Sequence, residues 1–264
     1  MLLNSTGEGA FYDKLAARFG GYHVPKGSPA SSRFPDGSPE RAFDMLVRQL
    51  ATREAVGLDV GCADGRNTFE LAPVFEHLTG IDISEGMLGA AWRLQAERGA
   101  TNVRFQAADA ERTGFADESF DLVYSRRGPT FYQEYARLLK PGGCYAEIQI
   151  GERDARELKE TFGRGQDYAE RDVSSLNRNV LQLRVAGFEV IEAREYLYED
   201  YYRDVDHLSL FLEGVPILTE YDAAADWPHL QRFAANHAGP EGVALGRHRV
   251  LIAARKASQT GPRR

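Results

Sequence analysis

The chain has 264 residues, 43% of them hydrophobic and 27% charged, with a formal net charge of −7. That length suffices for one large α/β domain with a lid, and the acidic balance disfavours a phosphate-backbone partner, which needs a Lys/Arg stripe. No apolar run approaches the ~18–20 residues of a membrane span.

The first ten residues lack a basic, then apolar, leader pattern, so a signal peptide is not expected and a cytoplasmic setting is. Two cysteines, Cys62 and Cys144, are too few for a disulfide scaffold and read as small buried residues of a reducing compartment. The six histidines are scattered, so no metal site is expected.

In chain order, an aromatic helical stretch over Phe11–Phe19 leads into a Gly/Pro/Ser-rich loop, Gly20–Gly37. Ser38-Pro39-Glu40 opens a helix over Pro39–Ala51 with Ser as N-cap, placing Phe43, Leu46, Val47 and Leu50 on one face. Val56–Val60 then reads as a short apolar strand. It turns through Gly61, Cys62, Ala63, Asp64 and Gly65 into a helix beginning near Arg66. A second strand, His77–Ser84, carries Asp82, where a carboxylate can accept hydrogen bonds from a ribose diol. Strand, glycine turn, helix, strand, acid is the outline of a nucleoside-cofactor site.

The glycine spacing argues against a dinucleotide. Such sites use Gly-x-Gly-x-x-Gly to admit a pyrophosphate at the helix N-terminus. Here the run is Asp59-x-Gly61-x-x-x-Gly65, and Asp59 and Asp64 inside the turn would repel a pyrophosphate but suit a cation. Leu58-Asp59-Val60-Gly61-Cys62-Ala63-Asp64-Gly65 resembles motif I of the class I S-adenosylmethionine-dependent methyltransferases, whose usual Gly-x-Gly-x-Gly is interrupted by Ala63. Gly80-Ile81-Asp82-Ile83-Ser84-Glu85-Gly86-Met87-Leu88 resembles the second motif. Three further matches follow in the family's order: Val103–Ala110 as a third strand ending in Asp-Ala, Phe120-Asp121-Leu122-Val123-Tyr124-Ser125 as a fourth, and Leu138–Gly143 leading into strand Cys144–Ile150. Together they span roughly residues 55–151.

The resemblance implies a Rossmann-like α/β fold: a seven-stranded, mostly parallel sheet with an antiparallel edge strand and helices on both faces. S-adenosyl-L-methionine is the implied cofactor. Asp59, Gly61, Cys62, Ala63 and Gly65 would form its turn, Asp82 would hold the ribose, Ile83 and Met87 would pack on the adenine, Asp109 and Ala110 would meet the adenine edge, and Ser125, at the end of the fourth strand, would be a further cofactor-binding residue. Asp109 also reads as a helix N-cap, and Met87 as plain core packing.

Residues 151–173 show no period and read as a loop. A helix over Ser174/Ser175–Ala186 ends at Gly187, and Phe188–Tyr202 is an aromatic-rich strand. The insert, about Arg203–Glu241, carries the helical run His207–Leu212, and Gly246–Lys256 reads as the last strand. The organisation expected is therefore an N-terminal lid and helix (1–52), a cofactor-binding core (53–202), an insert serving as substrate lid (203–241), and a final strand with its tail (242–264).

Ligands in open α/β sheets bind beyond the carboxyl ends of the strands. Tyr12, Arg126 and Arg127 are thus candidate acceptor contacts, the arginines for an anionic or carbonyl group; alternatively an arginine pairs with Glu134 or Glu152. His207 and Tyr124, with His23 behind them, are weak candidates for a general base. The expected function is methyl transfer to an N, O or C atom of a small molecule, by a monomer or homodimer. An RNA or protein methyltransferase and a non-catalytic S-adenosylmethionine-binding protein are the alternatives.

Overall fold

The computed structural model describes residues 5–22, 27–170, 172–218 and 220–257. His23 and the tail from 258 lie outside the described residues.

Five strands run parallel: β2 (Val56–Val60), β3 (His77–Asp82), β4 (Val103–Ala107), β5 (Phe120–Arg126) and β6 (Leu139–Ile150). With β1 (Ser31–Arg33), β7 (Phe188–Tyr202) and β9 (Gly242–Lys256) they form the order β1-β7-β9-β6-β5-β2-β3-β4. A two-residue strand, β8 (Ala238–Gly239), pairs with β9. Among the described residues the sheet therefore has nine strands rather than the expected seven, because short segments of the N-terminal loop and the insert add to a seven-stranded core. β9 is antiparallel to both β6 and β7, so the reversed strand of that core sits one place in from β7 instead of at the edge.

Among the described residues, eight helices besides α1 (Ser5–Phe19) surround it: α2 (Pro39–Leu50), α3 (Arg66–Leu71), α4 (Glu85–Arg98), α5 (Tyr132–Leu138), α6 (Arg156–Phe162), α7 (Ser175–Val185), α8 (Val205–Glu213) and α9 (Trp227–His237). The alternation of strand side chains decides which helix covers which face. Leu122, Tyr124, Ala146, Ile148 and Leu251 face Phe43 and Val47 of α2 and Leu88 of α4. Leu58, Val60, Val123, Tyr145 and Ile252 face Tyr135 of α5 and Leu183 of α7. Ser38 caps α2 by accepting the Arg41 N–H, and Ser84 caps α4 by accepting the Met87 N–H, as Ser does at an N-cap.

The β6–β9 pairing ends at Ile150 and Arg249, but the β7–β9 ladder runs on to Tyr202 and Val243. This overhang projects past the carboxyl ends of the parallel strands. α6, α8 and α9 pack around it with Leu158, Phe162, Leu208, Leu212, Leu230, Phe233 and Leu245. The expected loop 151–173 thus contains a helix, α6. Its apolar pair, Leu158 and Phe162, has i, i+4 spacing, but seven residues ending at Gly163 are too few for a period to stand out.

Candidate active site

The glycine turn runs through left-handed backbone. Gly61, Ala63 and Gly65 all have positive φ, at 75°, 48° and 76°. At Gly65 a Cβ would lie 2.6 Å from the Phe105 ring, so both conformation and space require glycine there. Ala63 takes the left-handed conformation that the family's middle glycine would adopt freely. Its N–H donates to Asp82 Oδ2 at 2.8 Å, while Asp82 Oδ1 accepts the Ser84 N–H at 2.9 Å. The ribose candidate therefore ties the turn to the end of β3. Burial pushes its pKa upward against the opposing pull of these N–H groups.

Asp59 is buried behind the turn and accepts the Thr68 hydroxyl at 2.7 Å. Burial lifts its pKa to about 6. A cation nearby would favour its charged form, whereas a pyrophosphate would disfavour it further. Asp64 accepts the Tyr22 N–H at 3.1 Å and pairs with Arg66. Cys62 is buried and its thiol pKa is raised by burial, so it is a packing residue. Ile83, 40% exposed, is an open apolar surface next to Asp82. The donor set fits S-adenosylmethionine, which brings a sulfonium and an ammonium but no phosphate.

Beyond β4, Asp109 caps its own turn by accepting the Glu111 N–H at 2.9 Å, and Ala110 is buried on the α5 side. The buried Ser125 hydroxyl donates to the Val60 carbonyl at 3.1 Å, joining β5 to the end of β2. The following loop lies directly on the glycine turn. A Cβ on Gly128 would sit 2.6 Å from Ser125 Oγ and 2.8 Å from the Val60 carbonyl oxygen.

Helix α1 crosses the start of α4. Asp13 Oδ1 accepts the Ser84 hydroxyl at 2.6 Å and the Gly86 N–H at 3.0 Å. Leu15 and Ala16 bury Met87, with Phe11, Tyr12, Phe19, Tyr22 and Ala63 packed around them. Met87 is therefore covered by α1 and offers no open wall for an adenine, which corrects that expectation. At its far end α1 is ion-paired to α8 through Arg18 and Glu213.

Two other expectations change, and the arginines are paired with acids other than those the sequence suggested. Tyr124 is enclosed in the core between Phe43 and Phe75, and burial raises its pKa far above the ordinary tyrosine value, so it is no base. His207 belongs to the overhang: its Nδ1 accepts the Arg203 N–H at 3.2 Å and its ring meets Tyr202 edge-on. It lines a 630 Å³ cleft with Ser28, Ala30, Asp204 and Leu210, to which no residue of the glycine turn contributes. Arg126 and Arg127 pair with acids of α2: Arg126 with Glu40 and Asp44, Arg127 with Glu40. The acids named from the sequence are engaged elsewhere, Glu134 by Arg137 and Thr113, Glu152 by the Ser175 N–H and Arg153.

Sequence reasoning missed the roles of Asp13 and Glu40, and read Gly128 only as part of the segment 126–130 at the end of β5 that borders the acceptor. Only Gly128-Pro129 carried a local signal, a turn dipeptide after a strand. The partners of Asp13 and Glu40 lie more than 70 residues away in the chain.

A family profile for a methyltransferase domain matches residues 58–143. The chain is 31% identical over 199 residues to the O-methyltransferase cnsE of Penicillium expansum, covering 69% of this chain and 71% of that one. It therefore belongs to the class I S-adenosylmethionine-dependent methyltransferases, with S-adenosylmethionine as cofactor. It is also 30% identical over 196 residues to the biotin biosynthesis bifunctional protein BioHC of Teredinibacter turnerae, covering 67% of this chain but only 34% of that longer protein. The fold is that of the YcgJ protein from Bacillus subtilis, with a TM-score of 0.61 at 19% identity over 83% of this chain and 99% of that one. Among the described residues no helix is long and apolar enough to cross a membrane.

Proposed function

We propose that this chain methylates a small molecule held over the carboxyl ends of β5 and β6. The observation that carries the reading is the acid-lined glycine turn, strapped to Asp82 through the Ala63 N–H and overlain by Gly128. Asp82 takes the ribose hydroxyls, and Ile83, Asp109 and Ala110 border the adenine. Gly61, Cys62, Ala63 and Gly65 shape the turn, with Ser125 fixing the β2–β5 junction. Asp59 and Asp64 supply negative charge for the methionine end.

Bound there, S-adenosylmethionine supplies an activated methyl group whose departure leaves a neutral thioether. The protein's task is then proximity and orientation, worth roughly 7–11 kcal/mol in well-aligned cases. α1, with Tyr12, and the α8–α9 overhang serve as the lid that excludes water. With Tyr124 enclosed in the core and His207 in the overhang, the reading favours an acceptor that ionises readily. The relative named as an O-methyltransferase supports a small oxygen acceptor.

Calorimetric titration with S-adenosylmethionine, S-adenosylhomocysteine and NAD tests the reading. Micromolar binding of the first two and none of NAD is expected. NAD binding alone, or no binding of either sulfur ligand, would overturn it.

A further inference from the structure

The two adjacent arginines after β5 are not equivalent. The Arg126 side chain is 9% exposed, its guanidinium lies 4.8 Å from the centre of the Phe43 ring, and it is held by both Glu40 and Asp44. It is a core element joining β5 to α2. Arg127 has left-handed backbone, with φ of 57°, and its N–H donates to the Ile148 carbonyl at 2.8 Å. A side-chain-bearing residue in that conformation costs about 1 kcal/mol or more. The turn sends the Arg127 guanidinium to a half-open place, 23% exposed, one residue from the Gly128 that touches the cofactor turn. Tyr22 from the end of α1 and Tyr198 from β7 lie close enough for their charge states to act on it.

The local charges pair unequally. Arg126 has Asp44, and Arg249 on β9 has the buried Asp154 at 2.6 Å. Arg127 among the described residues has Glu40, which Arg126 shares and on which Arg249 also acts. Glu40 is 37% exposed, sits in the first turn of α2 and bridges the two arginines. Exchanging one carboxylate for another on a planar guanidinium conserves the hydrogen-bond geometry.

We infer that Arg127 is the carboxylate-binding residue of the acceptor site, and that Glu40 occupies it as an internal stand-in which a carboxylate-bearing acceptor displaces. The inference rests on the methyltransferase reading, and it narrows the acceptor to an organic acid.

The test uses full-length protein saturated with S-adenosylhomocysteine, whose binding is measured first. Small carboxylates (acetate, malonate, benzoate, salicylate) and their primary amides are then titrated by calorimetry against wild type, Arg127→Gln and Glu40→Gln, with circular dichroism and thermal melting to verify folding. At least one acid binding tenfold or more tighter than its amide is expected. Arg127→Gln should abolish that preference and Glu40→Gln should strengthen acid binding several-fold, with S-adenosylhomocysteine affinity unchanged in both. Equal binding of acids and amides, binding of neither, or weakening by Glu40→Gln overturns the inference while leaving the cofactor reading intact. Failure of wild type to bind S-adenosylhomocysteine overturns the methyltransferase reading and this inference with it.

Discussion

The Asp82 carboxylate at the end of β3 accepts the Ala63 N–H of the glycine turn at 2.8 Å, so the residue assigned to the ribose also holds the turn in shape. Asp82→Ala removes both functions. Loss of charge-assisted hydrogen bonds should weaken cofactor binding by about 1.5–3 kcal/mol, roughly 10- to 150-fold. The melting temperature should fall as well, because the Ala63 and Ser84 N–H groups lose their acceptor. Asp82→Asn retains one acceptor oxygen and should melt closer to wild type while still binding weakly. Calorimetry and thermal melting on both variants separate the two roles; wild-type affinity in Asp82→Ala would remove this residue from the site.

Ala63 and Gly128 make opposite predictions about backbone freedom. Ala63 adopts φ of 48°, a conformation glycine reaches at no steric cost, so Ala63→Gly should be neutral or stabilising by up to about 1 kcal/mol. At Gly128 a Cβ would lie within 2.8 Å of both Ser125 Oγ and the Val60 carbonyl oxygen, which the buried sheet end cannot yield. Gly128→Ala should destabilise by on the order of 1–3 kcal/mol and displace the loop from the turn. Denaturant midpoints measure both; a stable Gly128→Ala that binds cofactor normally would show that this contact is dispensable.

Asp13 tests the lid. Its carboxylate bridges α1 to the Ser84 hydroxyl and the Gly86 N–H. Asp13→Ala should leave the melting temperature of the sheet core nearly unchanged, release α1, and reduce cofactor affinity several-fold. Hydrogen exchange should show lost protection over residues 9–19 and retained protection in β2 and β5. Unchanged protection in α1 would mean that the Leu15, Ala16 and Met87 packing alone secures the helix.

His248 sets a pH limit. It lies fully buried beside Glu152, Arg153, Asp154 and Glu195; burial lowers its pKa below the usual histidine value, with the neighbouring carboxylates opposing. The unfolded chain therefore takes up this proton at higher pH than the folded one. The stability it contributes is present above about pH 6.5 and is lost as pH falls through that value toward the folded pKa. Denaturant stability should decline from pH 7.5 to 5, by at most about 1.4 kcal/mol per pH unit from this one group. His248→Gln should flatten the decline, and an identical slope in that variant would assign it to other groups.

The nucleoside half of the protein was legible because its signals are local. The Val56–Val60 strand, the Gly61–Gly65 turn and Asp82 fall within 27 residues, and glycine conformation and strand alternation act over a few residues at a time. The parallel sheet followed from the alternation of strands and helices, and Phe188–Tyr202 was found to the residue. What the chain by itself did not reveal depends on partners distant in sequence. The arginines could be seen at the end of β5, but their acids, Glu40 and Asp44, come from a helix more than 80 residues earlier. Tyr124 looked like a site residue, and only the packing of Phe43 and Phe75 shows it buried. Met87 is closed off by α1, and His207 belongs to the β7–β9 overhang. Burial and ion pairing are properties of the assembled fold, since they depend on which side chains from remote segments meet. The tertiary structure alone therefore decided which candidate side chains face the glycine turn and which support the fold.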